Sequence, residues 1–172
     1  AHSGKHANLW ATASPLLDQE GNYVGAIESI RDISERKIAE HKLSNKSVLL
    51  ENVLNNIPHY VFWKDRACVF QGCNLNFAKV AGVGTPENIV GKTDYDLAWE
   101  KKQADSYRQS DQNVMESGEP LFDSEELQLQ ADGKNAILMT SKVPLRDETG
   151  EVVGILGINA DITAQRELEK QL

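Results

Sequence analysis

The side chains of this 172-residue sequence with reactive potential are two cysteines, four histidines, a lysine set among aromatics and scattered carboxylates. Cys68 and Cys73 lack the spacing and the neighbouring histidines of a metal site. Cys73 stands beside Asn74 at the end of a predicted strand, where a packing thiol is favoured over a redox sensor. Two cysteines make no disulfide framework, so a reducing, cytoplasmic setting is expected. His41 lies on a predicted helix and lacks the Glu and Pro that follow a kinase phosphoacceptor histidine; His2 and His6 carry no motif. There is no nucleophile with a base, no phosphate-cradling Gly-rich loop and no metal cluster. No catalytic or metal residue is therefore assigned, and the segment is read as non-enzymatic.

Composition narrows the classes further. A net charge of −8 without a basic cluster argues against a nucleic-acid partner. The longest apolar runs fall far short of the roughly 20 residues a membrane span needs. The chain begins at Ala1 without a leader, and reads as a piece cut from a longer protein.

Chemistry has to be positioned by elements, and an internal repeat sets their boundaries. At an offset of 129, residues 3–43 over 132–172 give 14 identities in 41 positions. Pro15-Leu16 meets Pro144-Leu145, Val24-Gly25 meets Val153-Gly154, and Asp32-Ile33-Ser34 meets Asp161-Ile162-Thr163. Residues 1–34 are thus expected to be the tail of a module whose complete copy spans 57–163. Asp132-Gly133 predicts a hairpin between strands 121–130 and 136–143, and a further strand is expected at 152–160. Short strands are expected at 60–64 and 67–71, and helices at 74–81 and 98–117. In the remnant, strands over 7–13 and 23–31 have unpaired edges, which predicts that they pair with each other and dock elsewhere. The fold class is α+β, a five-stranded antiparallel sheet with inserted helices, plus an N-terminal β-hairpin and a long connecting helix.

That connecting helix spans 35–56. It contains neither Gly nor Pro, and Ala39, Leu43, Leu50, Val53 and Leu54, with Ile57 just beyond, share one face. Asp32 and Glu35 suggest a capping box at its start. The heptad-like steps Leu43, Leu50 and Ile57 favour a coiled coil and hence a homodimer over packing on the chain's own sheet. Residues 164–172 begin a similar helix.

The element order and the segment Gly150-Glu151-Val152-Val153-Gly154, followed by Asp161-Ile162-Thr163 and a charged helix, resemble a PAS domain with its C-terminal PAC portion. Tyr60-Val61-Phe62-Trp63-Lys64-Asp65, Gly72-Cys73-Asn74, Gly91-Lys92-Thr93-Asp94-Tyr95-Asp96-Leu97 and Lys142-Val143-Pro144-Leu145-Arg146-Asp147 resemble a subgroup found in bacterial sensor histidine kinases. The resemblance implies two-component signal transduction. A ligand or partner biases the sheet, and flanking helices relay the change to an output module, most naturally a histidine kinase. The competing reading is a ligand-free dimerisation module that sets the geometry of a kinase or diguanylate cyclase. Asp32, Asp161, Ile162 and Thr163 mark the strand-to-helix junctions, where they either couple the signal or act as plain caps. By the same resemblance the module is cytoplasmic, whether free or on the cytoplasmic side of a membrane-anchored sensor.

The cofactor remains unknown. Asp94 stands where the flavin-photoreceptor subgroup carries its reactive cysteine, which excludes photoadduct chemistry. Residues 98–117 lack the central-helix histidine of the haem subgroup, and His59 reads as a strand-entry residue. A small metabolite remains open. The resemblance turns the Tyr60, Phe62 and Lys64 face inward together with Asn159, and Phe70, Phe77, Trp99, Tyr107, Met139 and Ile155 are the further pocket candidates. Lys64 and Asn159 either fix a small anionic or polar ligand, or Lys64 pairs with Asp94 or Asp96 in a filled interior. The second is favoured, because a buried unpaired lysine is costly.

Overall fold

A computed structural model describes residues 7–171, so His2, His6, Gly4-Lys5 and Leu172 lie outside it. The chain divides into two units, one reaching to Leu50 and one starting at Glu51. Among the described residues no helix is long and apolar enough to cross a membrane.

In the first unit, β1 (Leu9–Leu17) and β2 (Tyr23–Asp32) form an antiparallel hairpin, exposed along both strands. Asp18 closes the turn by accepting from the backbone N–H groups of Glu20 and Asn22. β1 runs four residues further than the expected 7–13, passing through Pro15. An edge strand tolerates a residue without an N–H. Helix α1 (Ser34–Asn56) follows.

The second unit is a five-stranded antiparallel sheet in the order β4-β3-β7-β6-β5. Its strands are β3 (Tyr60–Asp65), β4 (Phe70–Cys73), β5 (Leu121–Leu129), β6 (Asn135–Arg146) and β7 (Val152–Asp161). The helices α2 (Leu75–Val80) and α3 (Lys101–Ser117) lie between β4 and β5 in sequence, and α4 (Thr163–Glu169) follows β7. β4 begins three residues later than predicted. The Asp65 carboxylate accepts from the N–H groups of Ala67 and Val69, holding a tight turn in which Cys68 takes φ +60°. α3 likewise starts after 98, because Glu100 caps it in a reciprocal box with Gln103. β6 continues through Pro144: β5 pairs with it no further than Lys142, so beyond that point β6 has a free edge.

The 129-residue repeat is reproduced in the backbone. Leu9 pairs with Asp32 as Leu138 pairs with Asp161, and Leu17 with Tyr23 as Arg146 with Val152. The register shift at Leu16/Leu17 matches that at Leu145/Arg146. Asp147 repeats the turn chemistry of Asp18, accepting from Thr149 and Glu151.

Glycine allows two close approaches in the sheet. A Cβ on Gly154 would stand 2.1 Å from the Lys64 carbonyl oxygen, and one on Gly157 would meet the Phe62 ring at 2.2 Å. One apolar cluster holds Phe62, Phe70, Phe77, Ile89, Trp99 and Tyr107; a second holds Cys68, Val114, Met115, Val152 and Ile155.

Candidate functional site

Period two along β3 turns Phe62 and Lys64 inward, and along β6 it turns in Leu138, Thr140 and Lys142. Helical spacing on α3 brings Ala104, Tyr107 and Asp111 to the same interior, with Val114 one turn on in the second apolar cluster. Phe62, Phe70, Phe77, Trp99 and Tyr107 form a continuous aromatic chain, with consecutive centroids 4.8 to 6.1 Å apart. Each such pair is worth roughly 0.5–1.5 kcal/mol beyond its burial.

A charged network lies inside this shell. Lys64 Nζ donates to both oxygens of Asp94, at 2.8 and 2.7 Å, and to Asp111 Oδ2 at 2.6 Å. Lys142 Nζ stands 2.8 Å from Asp111 Oδ1 as an ion pair without hydrogen-bond alignment, and 3.8 Å from Glu126 Oε1. It donates at 3.5 Å to the Tyr107 carbonyl, while Thr140 donates to Glu126 Oε2. Burial pulls Lys64 toward its neutral form, but Asp111 and Asp94 outweigh it and hold its pKa above the ordinary lysine value. Burial also pushes the Asp94 carboxyl above its usual range, an effect that Lys64 offsets only in part. The two shifts pull the pair in opposite directions; contact with two carboxylates makes the charged Lys64 the firmer of the two. Lys64 Nζ also lies 4.5 Å from the Phe70 ring centroid.

Seven of the ten predicted pocket residues come together around one enclosed space: Phe62, Lys64, Phe70, Phe77, Trp99, Tyr107 and Asn159. Three do not. Met139 has the opposite strand parity to Thr140 and Lys142 and leaves the interior. Tyr60 is only half-buried at the rim, where its hydroxyl donates to Asp161 Oδ2 at 3.4 Å. Ile155 is buried, but in the second apolar cluster. The space has a volume of about 10 Å³, room for one water. Trp99 Nε1, Gln128 Oε1 and Asn159 Oδ1 are buried without a hydrogen-bond partner in the protein, and all three residues line this space. Lys64 takes Asp94 as its partner, while Asp96 turns away to accept from Thr93.

Four lining or supporting residues went unread in the sequence: Asp111, Glu126, Gln128 and Lys142. Asp111 stood four residues from Tyr107 and three from Val114, a carboxylate inside an apolar stripe. Lys142 stood in phase with Ala136 and Leu138. Both were legible as polar interruptions of a periodic apolar face.

The predicted junction residues form a small latch. Thr163 Oγ1 donates to Asp161 Oδ1 at 2.6 Å and accepts from the Ile137 N–H at 2.9 Å. The Ile162 N–H donates to the Ile137 carbonyl, and the Thr163 N–H to Asp161 Oδ1. The first unit repeats this, with the Ile33 N–H donating to the Asn8 carbonyl, the Asn8 N–H to Ser34 Oγ and the Ser34 N–H to Asp32 Oδ1. Asp32 thus caps through Ser34, two residues on, and the expected reciprocal contact with Glu35 is replaced by this arrangement.

A two-plus-three antiparallel sheet with inserted helices, enclosing a small polar interior and ending in a strand-to-helix latch, defines a PAS-type fold. The chain belongs to the PAS family: residues 54–167 match the family described as PAS fold, and residues 4–35 match a further family described as PAS domain. A diguanylate cyclase of Vibrio cholerae is 33% identical over 125 residues, covering 72% of this chain and 38% of that protein. The virulence sensor protein BvgS of Bordetella bronchiseptica is 28% identical over 150 residues, covering 83% of this chain and 12% of that protein. The chain therefore spans well under half the length of either relative. Among solved structures, the phage VqmA–DPO complex superposes with a TM-score of 0.60 at 25% identity, covering 78% of this chain and 60% of that one.

Proposed function

We propose that the second unit is a sensory domain whose interior takes up a small molecule, and that α1 and α4 carry the resulting change to an output module. The observation supporting this is the set of three buried, unpartnered polar groups around one space, on Trp99, Gln128 and Asn159. A filled structural core normally satisfies such groups. Because the space holds only about one water, occupation requires the lining to part. A ligand that binds the parted form better shifts the balance between the two forms. The phage VqmA–DPO complex supports ligand uptake by this fold, and the relatives named a virulence sensor and a diguanylate cyclase support an output enzyme in the parent protein. We read the parent as most naturally a cytoplasmic or membrane-anchored sensor kinase, and β1–β2 as the last two strands of a preceding PAS module. The test is native mass spectrometry of the purified chain, together with nitrogen-resolved NMR during addition of a metabolite panel. Retained mass or shifts of the cavity-lining signals are expected; neither appearing would overturn the reading.

A second reading, dimerisation through α1, rests on exposed Leu43, Leu50 and Val53 at coiled-coil spacing. Sedimentation of the chain and of a Leu43→Lys, Leu50→Lys variant separates dimer from monomer.

A further inference from the structure

The charges around the interior space restrict what can enter it. Lys64 spends its three ammonium hydrogens on three carboxylate oxygens. Lys142 is shared among Asp111, Glu126 and the Tyr107 carbonyl. Two cations thus face three carboxylates: the Lys64 ammonium is fully committed, and Lys142, though less tightly held, is paired with Asp111 and flanked by Glu126. A ligand carboxylate or phosphate would add negative charge to a lining already in excess of it, after losing its own hydration.

A cation fares no better. Both Asp94 oxygens are taken by Lys64, and each Asp111 oxygen faces a lysine. Glu126 faces Thr140 on one oxygen and Lys142 on the other. An incoming ammonium would stand beside two others and would have to break an existing pair.

Asp111 Oδ1 lacks a hydrogen bond but has Lys142 as its ion-pair partner; the lining groups with neither kind of protein partner are neutral. Trp99, Gln128 and Asn159 are 6%, 4% and 3% exposed. The indole N–H only donates, whereas either amide can turn over and present its NH₂ in place of its oxygen. Apart from the ion network, the rest of the lining is aromatic: Phe62, Phe70, Phe77 and Tyr107.

We infer that the ligand is a small uncharged polar molecule that offers an acceptor to Trp99 Nε1–H and hydrogen-bonding groups to Gln128 and Asn159, with the ion network left intact around it. This rests on the sensory reading above and specifies its ligand class.

Three near-isosteric probes test it: benzamide, benzoate and benzylammonium, each titrated into the full 172-residue chain labelled with nitrogen-15. The readout is the indole N–H signal of Trp99, assigned by its loss in Trp99→Phe. Benzamide is expected to shift that signal saturably at millimolar concentration, with little effect from either ion. Asn159→Leu and Gln128→Leu are each expected to weaken benzamide about 3- to 10-fold, the loss of one hydrogen bond. Tighter binding of benzoate or benzylammonium overturns the charge assignment and leaves the sensory reading standing. Undiminished benzamide affinity in both folded leucine variants overturns the assignment of the two amides. No movement of the Trp99 signal with any of the three overturns the inference, while the sensory reading is decided separately by retained mass and the metabolite panel.

Discussion

Lys64 on β3 donates at 2.6 Å to Asp111 on α3, and the other oxygen of that carboxylate stands 2.8 Å from Lys142 on β6. β3 and β6 are not neighbours in the sheet, since β7 runs between them. One helical side chain therefore ties two separated strands from within. Asp111→Ala leaves two buried ammonium groups short of a partner and is expected to cost about 3–5 kcal/mol. The exposed Glu116→Ala serves as the control, within about 0.5 kcal/mol of the parent. Guanidinium unfolding measures both, and equal midpoints would show that the network carries no stability.

The repeated glycines give a second test. Gly154 has the Lys64 carbonyl 2.1 Å from where a Cβ would stand, while Gly25, its counterpart at the 129-residue offset, has only Leu16 Cδ1 at 3.9 Å. Gly154→Ala must push β3 and β7 apart, and a loss of about 1–3 kcal/mol or more is expected. Gly25→Ala should be neutral, or stabilising by about 0.5–1 kcal/mol. Thermal unfolding of the two variants compares them directly.

Thr163→Val removes the hydroxyl that accepts from the Ile137 N–H while keeping the side chain's shape. Leaving that half-buried donor unpaired is expected to cost about 1–3 kcal/mol. Hydrogen exchange at Ile137 should accelerate roughly tenfold or more, with α4 loosening alongside, and an unchanged rate would remove Thr163 from the latch.

Both cysteines are buried, and desolvation pushes the Cys73 thiol from an ordinary 9.0 to about 12. Cys68 is also raised, again chiefly by burial. Because folding favours the thiol form, the Cys73 contribution to stability is complete below pH 9 and is lost as pH rises through 12. At pH 8 a thiol reagent should find no fast-reacting cysteine in the native chain and two after denaturation. A rapid native reaction would contradict the burial.

Most of the architecture was legible because it is written in period. The alternation in β3 and β6, the Asp-Gly turn at 132–133 and the internal repeat each report a backbone requirement that local sequence must meet. The misplaced elements depend on single side chains acting on the backbone: Asp65 delaying β4, and Glu100 with Gln103 delaying α3. In the site, Lys64 with Asp94 could be anticipated from the cost of burying a lone ammonium. Asp111 and Lys142 could not be paired in advance, since they stand 31 residues apart on elements that meet only when the sheet closes over α3. Met139 was a pocket candidate that strand parity turns away from the interior.

The coincidence of register between the two hairpins has a consequence for what each can enclose. At the positions where β6 and β7 send Thr140, Lys142 and Asn159 inward, the same backbone sites on β1 and β2 hold Ala11, Ala13 and Ile30. Any sheet completed on the first hairpin would contribute a wall of hydrocarbon where the second contributes an ammonium, a hydroxyl and an amide. The hairpin written twice in the chain thus keeps its backbone register while exchanging a polar inner face for an apolar one.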